Sequence, residues 1–460
     1  MSHKIIKLSP LVLAAAAAAG FSTHAFSAGF ALIDQGASGQ GVAYAGAAAV
    51  GEDSSTVFFN PAAMTRLSGQ QIVVAGHIIA PSSDYKDSGT SSNASGVPGS
   101  LTGPNSDGGD TGFVPNFYWT AALDNGLHVG VGINVPFGLA TDYDAGWIGR
   151  YHGLKSEITT ININPAIAWK VTNTVSLGFG LSYQYIDVEL TNNIDSSAAC
   201  FNLSGSPCGA FSDASIDSTF KLEGDDSSFG WNIGVLFDIT DKDRLGIAYR
   251  SAIKHDLEGK ATYDLYAPLQ TIVDGANSNP PLAPNFSILS NTSLSAAAQL
   301  PETFSLSYVR DLNTKWTLLA DYTWTGWNSL DTIEVVLAGN APGQDPALEL
   351  AFKNTNRLAI GAHYKPSNKW IVRGGLAYDE TPVRSDEQRT VRIPDNDRTW
   401  LTLGFGYAPA QSWSFDVAYS HLFVSDTGIN NITPTSSGAT LIGNYEASVD
   451  ILSAGVNFNF

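Results

Sequence analysis

The sequence predicts an all-β fold: a ~14-stranded antiparallel transmembrane β-barrel whose lumen is plugged by an N-terminal hatch. Three observations predict it. From Ser412 onward, Trp413, Phe415, Val417 and Tyr419 alternate with Ser412, Ser414, Asp416, Ala418 and Ser420, so one strand face is apolar and the other small or polar. The same two-residue period recurs along the chain beyond residue 70, while helical periodicity is nearly absent. Second, tight turns and long loops strictly take turns, as a barrel with one short-turn end requires and a soluble sandwich does not. Third, Trp169, Trp316, Trp370 and Trp413 each stand beside a tight turn, while Tyr183, Trp324, Tyr378 and Tyr419 lie farther along the same strand faces. That spacing suits two aromatic girdles around an apolar band about 25 Å tall.

The elements follow in order. Lys4 and Lys7 precede an apolar, alanine-rich run from Leu8 to Phe21, and Ala25-Phe26-Ser27 supplies small residues for cleavage. Residues 1–27 therefore read as a removable secretory signal, with Ala28-Gly29-Phe30 as the mature start. Residues 28–69 carry many glycines and alanines, few charges and no strand period, and end at Asn60-Pro61-Ala62-Ala63-Met64. A solvated linker would be more charged, so this stretch is expected to pack inside the barrel. Residues 70–460 make the barrel, with strands expected at 70–80, 113–123, 127–136, 156–171, 174–190, 219–239, 243–265, 300–311, 315–334, 347–365, 369–379, 396–409, 412–425 and 440–460. Asp124-Asn125-Gly126 is the clearest hairpin turn. Long Ser/Gly/Asn/Pro/Asp-rich connections are expected at 81–112, 137–155, 191–218, 266–299, 335–346, 380–395 and 426–439. Short turns and both termini should then be periplasmic and the long loops extracellular. The aromatic end Val456, Phe458, Phe460 resembles the signal read by the barrel-assembly machinery.

Composition narrows the function classes. Only 15% of residues are charged and 11% are aromatic, yet no mature segment has the apolar length of a spanning helix. The net charge of −19 argues against nucleic acid as a partner and is expected to lie in solvated loops. Outer-membrane lipid and lipopolysaccharide are the expected surroundings, and the chain is expected to be a monomer. The two cysteines, Cys200 and Cys208, share one polar loop, where an oxidising compartment favours a local disulfide.

No catalytic or cofactor motif is found, and no metal site is expected. Ser420-His421 cannot act as nucleophile and base, because adjacent strand residues point to opposite faces. Asp225-Asp226 and Asp395-Asn396-Asp397 could bind divalent cations, but read better as solvated loop carboxylates. The inward faces are rich in Gly, Ser, Ala and Thr, with Asp238, Arg250, Asp321, Arg357, Arg373 and Asp416 interspersed. An open watery porin would carry more charge, so guided passage of something else is the better reading.

Several short motifs, in order, carry a resemblance over the whole mature chain. They are Ala28-Gly29-Phe30, Gly39/Gly41/Tyr44/Gly46, Asn60-Pro61-Ala62, Val114-Pro115-Asn116 and Gly138-Leu139-Ala140-Thr141. Phe229-Gly230-Trp231-Asn232, Tyr249-Arg250-Ser251, Leu300-Pro301-Glu302, Ile393-Pro394-Asp395 with Asp397-Arg398 and Trp400, and Asn457-Phe458-Asn459 complete them. Together they resemble the FadL-type long-chain fatty acid transporters of the outer membrane, a family that includes hydrocarbon transporters.

The resemblance implies passive uptake of a hydrophobic small molecule without a cofactor: capture between loops, an apolar lumen pocket, a mobile N-terminal segment that includes Phe30, and sideways exit near a plug. It places the plug at Asn60, Pro61 and Ala62, and the exit where the third strand kinks, around Val135, Pro136, Phe137 and Gly138. Pro136 cannot donate to a ladder and Gly138 permits a bend, which independently supports a break there. The stretches that correspond to the family's basic carboxylate-binding segments, 185–190 and 347–351, contain no Arg or Lys. Arg357 and Arg373 are therefore the candidate carboxylate partners, and a neutral aromatic or aliphatic hydrocarbon is the alternative substrate. A sealed barrel serving as a surface receptor or adhesin is the other class to separate.

Overall fold

Alternating side chains divide every strand between a lipid-facing and a lumen-facing row, and the ladder closes on itself. The computed structural model describes residues 29–92, 101–278, 289–338, 346–431 and 439–460; the expected signal at 1–27 lies outside them. A closed 14-stranded antiparallel barrel results. Its strands are β1 (Gln70–Asp87), β2 (Gly112–Ala122), β3 (Leu127–Asn134, resumed at Gly138–Asp142), β4 (Lys155–Lys170) and β5 (Val175–Ile194). Next come β6 (Ser218–Asp238), β7 (Asp243–Arg250, resumed at Ile253–Asp264), β8 (Thr292–Leu300, resumed at Thr303–Asp311) and β9 (Trp316–Thr325, resumed at Thr332–Leu337). The rest are β10 (Ala347–Glu349, resumed at Thr355–Ser367), β11 (Trp370–Asp379), β12 (Arg398–Ala410), β13 (Trp413–Val424) and β14 (Ala439–Asn459). Neighbours pair in sequence, and β14 returns to β1 in register from Gln71↔Asn459 to Asp87↔Gly443. No free edge is left to aggregate.

The outward rows are apolar, as a lipid-facing wall must be. Trp169, Trp316, Trp370 and Trp413 are 40–50% exposed, with Trp316 and Trp370 packed in tilted pairs against Tyr364 and Tyr407 at ring-centroid separations of 4.6 and 4.4 Å. The inward row of β13 carries Ala418 and Ser420, both buried.

Several expectations about strand extent are corrected. The long connection expected at 266–299 contains the first half of β8, because Thr292–Leu300 pairs with β7 from Ile253↔Leu300 onward; its Ser/Ala-rich composition hid the alternation. β1 continues through Asp87 into the stretch expected as a loop. Strands expected as continuous at 243–265, 315–334 and 347–365 are each interrupted. The breaks fall at residues 251–252, 326–331 and 350–354.

Residues 29–69 lie in the lumen. Four short turns of helix follow, Ala37–Gln40, Ala47–Val50, Thr56–Phe59 and Pro61–Arg66, with glycines in the first two connections and Asn60 in the third. Asn60 caps the last of these, accepting from the Ala62 amide at 3.0 Å, and Pro61 fits the first turn, where no donor is needed. Asn60 Nδ2 donates to Ala48 O (2.6 Å) and to Val235 O on β6 (3.1 Å). The wall beneath is glycine for a steric reason: a Cβ at Gly178, Gly234 or Gly246 would overlap Ala62, Asn60 or Ala48.

Candidate functional site

The wall is broken at β3. Its first half pairs with β2 from Ala122↔His128 to Phe117↔Ile133. After residues 135–137 the second half leaves β2 and pairs with β4, from Gly138↔Thr159 to Asp142↔Lys155, with an isolated bridge from Thr141 to Gly109. The chain's own N-terminal strap fills the resulting gap. Leu32 N donates to Pro136 O (2.8 Å), Gly138 N to Phe30 O (2.9 Å), and Gln35 Nε2 to Val135 O (2.9 Å). From the β2 side, Asn116 Nδ2 donates to Asp34 O (2.8 Å) and Tyr118 OH to Gln35 Oε1 (3.1 Å). One segment thus bonds the backbone of the β3 edge and the side chains of β2, which meets part of the hydrogen-bonding need of a water-poor wall.

Phe30 anchors that strap. Its ring lies 5.0 Å from Trp327 and 6.0 Å from Phe137, and Trp327 also meets Phe352 at 5.8 Å. Trp327 sits in the interruption of β9, a break that sequence periodicity passed over although Gly326-Trp327-Asn328-Ser329 marks it. Gly29 N donates to Asp395 Oδ2 at 2.8 Å. Asp395 also holds Arg398 and accepts from Thr381 Oγ1 at 2.8 Å. It is fully buried, which corrects its reading as a solvated loop carboxylate.

Above the strap lies a cavity of about 400 Å³ with Phe30 in its floor. Its walls are largely aliphatic, from Ile158, Ile186, Val188, Leu257, Leu300 and Leu348 among others. The two arginine- and lysine-free stretches, 185–190 and 347–351, contribute to them. The cation of this cavity is Arg392, which comes from the connection between β11 and β12. Its Nη1 donates to Lys155 O (3.2 Å) and Ser156 Oγ (3.0 Å), and its Nη2 to Asn192 Oδ1 (3.4 Å). Among the described residues no carboxylate pairs with it. Burial pushes its guanidinium down to about 10, so it stays cationic at neutral pH. Neighbouring His152 is lowered to about 4 by burial and is neutral there.

An aromatic cluster holds the arginine in place. Tyr143 stacks on Trp147 at 4.1 Å and donates to Val391 O at 2.8 Å, fixing the residue before Arg392. Other arginines of that connection are occupied: Arg389 pairs with Asp386, Arg398 with Asp395, and Arg384 Nε donates to Ala351 O.

Neither Arg357 nor Arg373 lines the cavity. Arg373 is held between Glu52 of the plug and Asp416 of β13 (2.6 Å). Arg357 Nη2 donates to Ala43 O (2.8 Å), and its guanidinium lies 5.0 Å over the Trp400 ring. Both bind the plug to the wall. A sequence could not sort them from Arg392, because inward-facing position alone does not say at which depth a side chain sits. Cys200 and Cys208 form a disulfide closing the end of a helix, Ser196–Ser204, far from the strap in sequence. Ser420 Oγ accepts from Gln40 Nε2 inside the lumen (3.0 Å), whereas His421 pairs with Asp450, so they do no joint chemistry. Among the described residues no group of His, Cys, Asp or Glu is placed to hold a metal ion.

Against known proteins, residues 18–460 match the model of the outer membrane protein transport protein family (OMPP1/FadL/TodX). The chain belongs to this family. It is an outer-membrane transport protein and not an enzyme. It is 28% identical over 456 residues to the long-chain fatty acid transport protein of Escherichia coli O6:H1, covering 97% of both chains. The crystal structure of a Pseudomonas aeruginosa FadL homologue superposes with a TM-score of 0.84 at 27% identity, covering 94% of this chain and 100% of that one. The Ralstonia pickettii toluene transporter TbuX gives 0.63 at 18% identity, over 95% of this chain and 99% of that one, a likeness of fold alone.

Proposed function

We propose that this chain carries long-chain fatty acids, or amphiphiles like them, passively inward across the outer membrane. The ligand lies in the apolar cavity with its carboxylate on Arg392, and leaves sideways through the wall at β3 once the Phe30 strap moves. One observation carries the preference for an acid over a hydrocarbon: a buried arginine that no carboxylate pairs with among the described residues, in a cavity that is mostly apolar although Glu223, Glu349 and Glu387 also line it. A buried charge is costly unless paired, and a ligand carboxylate supplies the missing partner with strong charge-assisted bonds. The acid transporter from Escherichia coli points the same way.

Strands and strap supply the route. The break at residues 135–137 interrupts the ladder, and what closes it is a segment held by a handful of hydrogen bonds and one aromatic ring. Moving that segment removes the cavity floor and opens the wall together. No energy source is needed, because the gradient and downstream consumption drive the flow.

Uptake of radiolabelled oleate and toluene by a knockout strain and its complemented counterpart tests the reading. Oleate uptake restored by the wild type and reduced by Arg392→Gln is expected. Toluene uptake without oleate uptake would assign the hydrocarbon alternative, and restoration of neither would favour a receptor.

A further inference from the structure

We propose that Arg250 and a belt of polar side chains beside it form a second carboxylate site, below the cavity, through which an acid ligand passes on its way to the β3 break. This rests on the fatty acid reading above and extends it.

Arg250 ends the first half of β7 and points into the lumen. Its Nη1 donates to Ser182 Oγ (3.1 Å), its Nη2 donates to Phe58 O of the plug (2.8 Å), and its guanidinium lies 4.2 Å over the Phe58 ring. Among the described residues no carboxylate pairs with it, whereas Arg66, Arg244, Arg310 and Arg373 each have one. Arg250 is only partly buried. Neutral acceptors and a ring offset the cost of such a cation less well than an anion does.

From Arg250 a row of buried polar side chains runs along the inner wall to the break. Asn232 is its paired neighbour on β6, and Asn164 Nδ2 on β4 donates to Asn232 Oδ1 at 3.1 Å. Asn162, also on β4, donates to Asn134 Oδ1 at 3.1 Å, and Asn134 is the last residue before the wall opens. All four asparagines are at most 2% exposed. Among the described residues Asn162 Oδ1 and Asn164 Oδ1 have no hydrogen-bond partner, which native interiors rarely tolerate. Ser182 and Gln184 join the row to Ile186, the next inward residue of β5, which lines the cavity. At Arg250 the ligand's head competes with the Phe58 carbonyl, loosening the plug as it arrives.

The competing explanation is that Arg250 only fastens Phe58. Oleate and oleyl alcohol, equal in chain length but differing in charge, separate the two. In Arg250→Gln, titration of purified protein with oleate should keep the tighter site in the cavity and lose the weaker one at Arg250. Oleate uptake by cells should fall about tenfold, oleyl alcohol uptake should hold, and Arg250→Lys should recover most of the loss. Equal loss for acid and alcohol, or no loss for either, overturns the proposal. If Arg392→Gln leaves oleate binding unchanged, the fatty acid reading fails first and this one falls with it. Heat-modifiable gel mobility establishes that each variant is a folded barrel.

Discussion

Arg392 is the residue on which substrate charge turns. Its bonds to Ser156 and Asn192 orient it without neutralising it, so Arg392→Gln should weaken oleate binding roughly tenfold to a hundredfold, the worth of a charge-assisted bond. Binding of oleyl alcohol should barely change; isothermal titration of both ligands checks this. The pH dependence has a definite sign. With the guanidinium pushed down to about 10, oleate affinity should be flat from neutral pH upward and fall as pH passes that value, while the alcohol's affinity stays level. The aliphatic walls set a second scale: each CH2 removed from the ligand should cost about fourfold in affinity, measurable across a series of saturated acids.

At the level of elements, the plug and its seat move as one design. Gly234 lies where a side chain would strike Asn60 Oδ1, so Gly234→Val should assemble as a barrel but dislodge the segment around Asn60-Pro61-Ala62. Higher single-channel conductance in planar bilayers than the wild type is the expected result. Gly138 plays the corresponding part at the break, where a Cβ would come within 2.9 Å of Leu32 Cδ1. Gly138→Arg, like deletion of residues 60–62, should alter oleate uptake without preventing assembly. Unchanged uptake in both would rule out the lateral route.

The helix Ser196–Ser204 and its disulfide make a contrasting element. The bridge closes a loop between residues separated by 8 positions, and such closure stabilises by about 2–3 kcal/mol at most. Reduction should therefore loosen the extracellular loops, seen as faster proteolysis there, and leave the barrel's thermal transition where it was.

On the scale of the whole molecule, much of the architecture is written in one-dimensional pattern. Alternation such as Trp413 to Ser420 recurs because a lipid-facing strand has no other way to satisfy both faces, and Asp124-Asn125-Gly126 turns because Asn125 and Gly126 adopt positive φ, at 61° and 76°. These local rules place the strands, the closed cylinder and the outer membrane. They fail where tertiary contact overrides them: the Ser/Ala-rich start of β8 pairs because β7 offers an edge, and β9 breaks because Trp327 is drawn onto Phe30. The same limit governs the site. Pro136 and Gly138 announce the irregular backbone of residues 135–138, whereas Phe30 and Asn60 stand out in the sequence only through the family resemblance. Among inward arginines, by contrast, two-residue spacing says only that each faces the lumen. Depth, ion pairing and the choice of Arg392 over Arg373 arise when Glu52, Asp416 and a folded loop come together from distant parts of the chain, and only the closed structure brings them there.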